Sequence, residues 1–94
     1  MSDAPHGAQR LDKWLWYARF FRTRTRATAI CQQRRIRVNR AVVAKPHHLL
    51  RRGDVLTFPQ ADRIRVVRVL DLGHRRGPAS EARTLFEDLD PAGG

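Results

Sequence analysis

Acidic residues are almost missing from the middle of this 94-residue chain. Between Arg10 and Arg52 there are 13 Lys or Arg and a single acid, Asp12. Lysine is scarce as well: Lys13 and Lys45 are the only two, and the other 17 basic residues are arginines. One cysteine, Cys31, excludes an internal disulfide and fits a reducing, cytoplasmic setting. No run approaches the ~18 consecutive apolar residues of a membrane helix. The opening MSDAPHGAQ has no apolar core, so no signal peptide is expected. His6, His47, His48, His74 and Cys31 lack metal-ligand spacing, so no metal is expected. Glu87-Asp88-Asp90, the one acidic cluster, reads as a solvated helix end. There is no glycine-rich phosphate loop and no nucleophile motif. The reading is therefore of a non-enzyme without cofactor.

What is present is charge of one sign in one place. The formal net charge is +10, yet residues 53–94 carry six arginines against seven acids, and residues 1–9 carry one acid. A surface charged only for solubility mixes the signs. A polarised field attracts a polyanion, and arginine's planar fork pairs with phosphate through two hydrogen bonds and stacks on bases. Nucleic acid is the expected partner. A membrane is not, since no basic amphipathic helix with interfacial anchors stands out. Structured RNA is favoured over DNA, because A-form RNA is recognised by shape and phosphate spacing, and no segment carries enough base-reading side chains for a DNA recognition helix.

Hydrophobic spacing gives the organisation. Leu11, Trp14, Leu15, Ala18 and Phe21 recur at helical intervals after Arg10. Thr23 is placed to cap a second helix that buries Ala27, Ile30 and Cys31 and ends near Gln33-Arg34. Residues 35–38 alternate as a half-buried strand, with Arg35 and Arg37 outward and Ile36 and Val38 inward. Asn39-Arg40 then supplies a turn into Val42-Val43. Lys45-Pro46 breaks the pattern, and Leu49-Leu50 opens an irregular apolar stretch. Strands are expected over 55–58 and 64–70, with Gly53-Asp54 (within an Arg-Gly-Asp tripeptide) as the turn before the first. Ala82, Leu85, Phe86 and Leu89 fit a last short amphipathic helix. The fold class is α+β: two N-terminal helices packed on a small antiparallel sheet, with a short C-terminal helix. Residues 1–9 read as a disordered arm, 10–70 as the domain, and 71–94 as an extension with a frayed end.

The ordered series Arg10-Leu11-Asp12-Lys13-Trp14-Leu15, Thr23-Arg24, Ile36-Arg37-Val38-Asn39, Lys45-Pro46 and Gly53-Asp54 resembles the S-four-type RNA-binding domain. RLDKWLW, Ala18-Arg19-Phe20 and residues 76–82 are similar to a narrower group, the bacterial fifteen-kilodalton ribosome-associated heat-shock proteins. The resemblance implies an RNA surface on the second helix and the adjoining strand turn. It also implies ribosomal RNA of the large subunit as partner, and a part in rescuing stalled subunits that hold a nascent chain on transfer RNA. That family usually has glycine where this chain has Arg34 and Arg40. Either the turns differ, or the arginines tolerate positive φ, at a cost on the order of 1 kcal/mol, in exchange for phosphate contacts.

The residues expected to meet RNA are Arg10, Lys13, Arg22, Thr23, Arg24, Arg26, Arg34, Arg35, Arg37, Asn39, Arg40 and Lys45. About a third of the arginines are expected to be ordinary surface charge. A wheel of the first helix also sets Lys13, Trp16 and Phe20 opposite the buried stripe. Exposed, these aromatics would stack on bases or recruit a protein, which makes a small adaptor the rival reading. Covered by the last helix, they would be core, and that reading is preferred. A generic structured-RNA module is a further alternative, and the S-four-type resemblance implies another, the accessory domain of an RNA-modifying enzyme. The free chain is expected to be a monomer.

Overall fold

Eleven short elements, described over residues 7–89 by a computed structural model, follow the order expected from the spacing with three exceptions. Strand β1 (Ala8–Arg10) leads into α1 (Leu11–Tyr17) and α2 (Arg24–Gln32). Strands β2 (Ile36–Val38), β3 (Ala41–Val43), β4 (Leu49–Arg51), β5 (Val55–Gln60) and β6 (Arg63–Val69) come next. The chain then forms α3 (Ala79–Ala82), a 3-10 turn (Arg83–Leu85) and β7 (Phe86–Asp88). All pairings are antiparallel: a five-stranded sheet β3-β2-β5-β6-β7 and a separate β1-β4 ribbon. The two N-terminal helices cover one face of the larger sheet. Leu11, Trp14, Leu15, Ala27 and Cys31 meet Ile36, Leu56, Phe58, Val67 and Val69 there in one core. Alternation in β2 holds as expected, with Ile36 and Val38 buried and Arg37 exposed.

The first correction concerns the start of the chain. Residues 8 and 9, expected in a disordered arm, are buried in β1, paired with the Leu49-Leu50 stretch that looks irregular in sequence. The reason is a polar anchor that hydrophobic patterning does not reveal. The Gln9 carboxamide donates to the Gly73 carbonyl at 2.7 Å and accepts from the Gly73 amide at 2.9 Å. Only glycine allows that approach, because a Cβ at residue 73 would lie 2.7 Å from the Tyr17 ring. Gly7 is a turn residue at φ 80°, and residues 1–6 of the expected arm lie outside the described residues.

The second correction is at the end of α1. That helix stops at Tyr17, and Arg19 adopts φ 65°, which turns the chain inward. Phe20 therefore does not continue the helical wheel. It is buried, with its ring 4.9 Å from Phe58 and 4.6 Å from Phe86.

The third correction is that the last helix is cut short. Helix α3 is present, but Phe86, expected at a helical position, is extended (φ −146°, ψ 159°) and opens strand β7. The free edge of β6 selects this conformation, since an unpaired edge gains a ladder of hydrogen bonds. Cross-strand ion pairs Arg68–Glu87 and Arg65–Asp88, at 2.8 and 2.9 Å, reinforce it. Glu87 and Asp88 are thus strand partners rather than a solvated helix end. The expected extension beyond residue 70 shares the core: Trp14 donates to the Asp71 carbonyl at 2.9 Å, and Leu85 joins the buried cluster. The expected frayed end, residues 91–94, lies outside the described residues.

The lone acid of the basic stretch is enclosed. Asp12 is 1% exposed and accepts two hydrogen bonds from Arg10 at 3.0 Å and one from Thr28 at 2.9 Å. Arg24 stands 4.0 Å away. These contacts join β1, α1 and α2 around one carboxylate, and the Asp12 hydrogen bond raises the Arg10 pKa above its ordinary value. Cys31 lies beneath, fully buried, and loss of solvent pushes its thiol up to about 12.

Two outcomes follow from this core. Asp12→Ala leaves Arg10 and Thr28 without their shared acceptor, so urea unfolding shows a loss of about 2–4 kcal/mol. A loss below about 1 kcal/mol would show the carboxylate to be dispensable. Because folding raises the Cys31 pKa, its contribution is complete below the ordinary thiol value of 9.0 and is lost as pH rises toward 12. The folded protein at pH 8 is accordingly inert to a thiol-disulfide reagent that modifies it readily once unfolded. Rapid labelling without unfolding would contradict this.

Candidate nucleic-acid interface

Helix α2 begins where Thr23, extended at φ −129°, accepts a hydrogen bond from the Arg26 amide at 3.1 Å through Oγ1. That cap fixes a helix start with unsatisfied amides and the positive end of the helix dipole. Arg22, Arg24 and Arg26 surround it. At the other end of α2, Gln33 is the cap and Arg34 follows in the left-handed region at φ 60°. Its amide donates back to Cys31 at 3.2 Å, the C-terminal motif in which glycine is preferred. Strand β2 then runs into a two-residue turn with Asn39 at φ 51° and Arg40 at φ 76°. Positive φ at both positions is the tight hairpin turn favoured by Asn-Gly. Both turns thus keep the backbone that suits glycine, and the arginines adopt it.

The charge divides into two populations. In the C-terminal half several arginines hold an acid: Arg52–Asp71, Arg65–Asp88, Arg68–Glu87 and Arg75–Glu81. Among the described residues no acid lies within ion-pair reach of Arg22, Arg26, Arg34, Arg35, Arg37, Arg40 or Lys45. All seven are exposed. Arg22, Arg26 and Arg35 border a single groove of about 550 Å³. Arg34 sits at the end of α2 beside Arg35, Arg37 projects from the sheet face opposite the helices, and Arg40 marks the hairpin tip.

The remaining candidates are committed within the protein. Arg10 is fastened to Asp12, and Arg24 leans toward the same carboxylate. Lys13 is half-buried and engaged within the fold. Asn39 donates through Nδ2 to Asp54 at 3.0 Å and accepts from the Val55 amide at 3.0 Å, locking the hairpin turn to the loop before β5. Thr23 acts as the helix cap. Lys45 is not among these committed residues: exposed, it precedes a loop whose Pro46 and His48 carbonyls accept the first amides of α1, a role that no side chain at Arg10 performs.

The aromatic surface is not formed. Phe20 is core, the outcome preferred from the sequence, but it is covered by β7 rather than by a helix. Trp16 is half-buried with the Arg76 guanidinium 5.5 Å over its ring. Burial and the neighbouring charge of Arg19 hold the Arg76 pKa below its ordinary value. The groove itself is invisible in the sequence pattern. Its floor includes Phe21 and Ile30, both expected in the core and both half-exposed, and it reaches across to Pro59 and Ala61 at the β5–β6 turn. No periodicity signals it, because it forms between segments far apart in the chain.

The left-handed arginines set a measurable balance. A non-glycine residue there costs about 1–2 kcal/mol, while glycine adds about 0.5–1 kcal/mol of unfolded-state entropy. Arg34→Gly or Arg40→Gly is therefore expected to raise stability by roughly 0.5–1 kcal/mol in chemical denaturation. A loss from either would mean that the arginine side chain holds its turn.

The S4 domain family model matches residues 9–56, the segment that carries both turns and the capped helix. Heat shock protein 15 of Escherichia coli K12 is 36% identical over 88 residues, which is 94% of this chain and 65% of that protein. The Haemophilus influenzae homologue is 34% identical over 83 residues, 86% of this chain and 61% of the relative. The chain thus spans less than two thirds of the length of these curated relatives. The solved structure of Vibrio cholerae heat shock protein 15, described as trimeric, superposes with a TM-score of 0.82 at 30% identity, covering 88% of this chain and 83% of the other.

Proposed function

The chain belongs to the S4-domain family and, within it, to the heat shock protein 15 proteins; from that membership we propose that this RNA-binding protein docks on the ribosomal RNA of the large subunit. It does so without catalysis, as a cytoplasmic monomer, where the Vibrio cholerae relative was solved as a trimer. Its setting is the bacterial stress response, on stalled subunits still holding a nascent chain on transfer RNA. The observation that carries the reading is that seven of the expected cations are exposed with no acid in ion-pair reach among the described residues, whereas Arg52, Arg65, Arg68 and Arg75 each hold one. Arg22 and Arg26 stand at a capped helix start, Arg37 on a strand, and Arg34 and Arg40 at two tight turns, positions that hold them at fixed spacing. Fixed spacing suits the regular phosphates of folded RNA, which is read by shape. The family resemblance is the support for the large subunit as the docking partner.

Co-sedimentation with separated ribosomal subunits across a salt series tests this. Selective binding to large subunits at one chain per subunit is expected, with log affinity falling against log salt at a slope of roughly −5 to −6. An Arg26→Glu/Arg37→Glu variant, which leaves the Asp12 contacts intact, flattens that slope by about 2 and loses most binding at physiological salt. Equal, weak binding to every RNA offered reduces the function to a generic RNA module. No binding at low salt overturns it.

A further inference from the structure

The groove bordered by Arg22, Arg26 and Arg35 differs from the rest of the cationic surface because its floor is apolar. Phe21 and Ile30 lie half-exposed at its base, and buried Pro59 forms the opposite wall. A groove that only followed phosphates would need no such floor. Its volume of about 550 Å³ falls within the roughly 300–1,000 Å³ of sites that enclose small ligands. Gln33 stands on the rim with its carboxamide exposed, offering a donor and an acceptor. By contrast, Gln60 on the far wall is committed, donating to the Phe20 carbonyl at 2.8 Å and accepting from Arg65 at 2.8 Å. The site therefore joins an apolar slot, an amide edge and three guanidinium groups whose charge nothing in the described protein neutralises.

We propose that this groove receives one unpaired nucleotide, its base lying against Phe21, Ile30 and Pro59 while Arg22, Arg26 and Arg35 hold the flanking phosphates. The assignment rests on the RNA-binding reading and adds that the preferred RNA carries a bulged or looped-out base. A nucleotide supplies what the groove requires: a flat face for the apolar floor, polar edges for Gln33, and negative charge on both sides for the arginines. Arginine planes and aromatic rings are the usual partners of splayed-out RNA bases. An acidic peptide would satisfy the cations, but it leaves the floor without a flat partner.

Ala29 provides the test, because it is exposed on α2 and lines the groove. Ala29→Phe fills the slot without altering charge or core. Two hairpin RNAs of equal length serve as probes, one fully paired and one with a single bulged 2-aminopurine. The wild-type protein is expected to bind the bulged hairpin at least 10-fold more tightly, with a change in 2-aminopurine fluorescence on binding. Ala29→Phe should bring the two affinities within about 3-fold of each other while leaving that for the paired hairpin unchanged. Equal wild-type affinity for the two hairpins overturns the nucleotide pocket and leaves the phosphate-binding face standing. A bulge preference that survives Ala29→Phe also overturns the pocket. Failure to bind either hairpin at low salt overturns the RNA reading as well.

Discussion

A carboxylate removed from water is tolerated only when its oxygens are matched by donors, and Asp12 meets that condition with residues from both sides of the first helix. Arg10 approaches from β1, and Thr28 and Arg24 approach from α2. This is the only acid between Arg10 and Arg52, and the fold places it inside rather than on the surface. Two consequences follow together. The helices that form the site are fixed relative to one another by a charged hydrogen-bonded node. The surface they present keeps no negative charge from this segment to cancel its arginines.

The C-terminal half handles charge in the opposite way. Asp71, Glu81, Glu87 and Asp88 sit opposite arginines on β6 and β7 or beside them in loops, in a region whose charges nearly balance. Exposed pairs of this kind contribute at most about 1 kcal/mol each. Their larger effect is to engage Asp71, Glu81, Glu87 and Asp88 with arginines of their own region, while Asp54 is taken up by Asn39 at the β2–β3 turn. Packing joins the two regions: Phe86 covers Phe20, and Trp14 and Gln9 hold the 71–73 segment, so the neutral part is bound into the same core as the charged one.

Most of the fold is legible in local pattern, and the exceptions have a common cause. Thr23 as a cap, the alternation of 35–38 and the turn at Asn39-Arg40 depend on a few adjacent residues, and each is where the spacing places it. Strands β1 and β7 depend instead on partners more than 15 residues away, and three-residue strands carry too little periodicity to announce themselves. A helical wheel misplaces Phe20 because the helix ends three residues earlier, and nothing in the Ala18-Arg19 pair signals that Arg19 takes φ 65°. Within the site, the cations are legible as residue types and their availability is not. Asp12 is the one usable signal. An isolated acid among 13 basic residues has a strong tendency to be held by some of them, and Arg10 and Arg24 are the ones in reach.

Two costs are concentrated at the same place. Arg34 and Arg40 occupy backbone conformations that favour glycine, and the seven exposed cations repel one another with no acid within ion-pair reach among the described residues. Strain and like-charge crowding both lower the stability of the free protein, and both persist only because the core beneath over-determines the geometry. A polyanion on this face removes the repulsion and leaves the strained turns in place. It therefore binds the folded chain in preference to the unfolded one, and the free energy of binding is added to that of folding. Conformational strain here serves position: a glycine at either turn would relax the backbone and remove the charge that the turn holds outward.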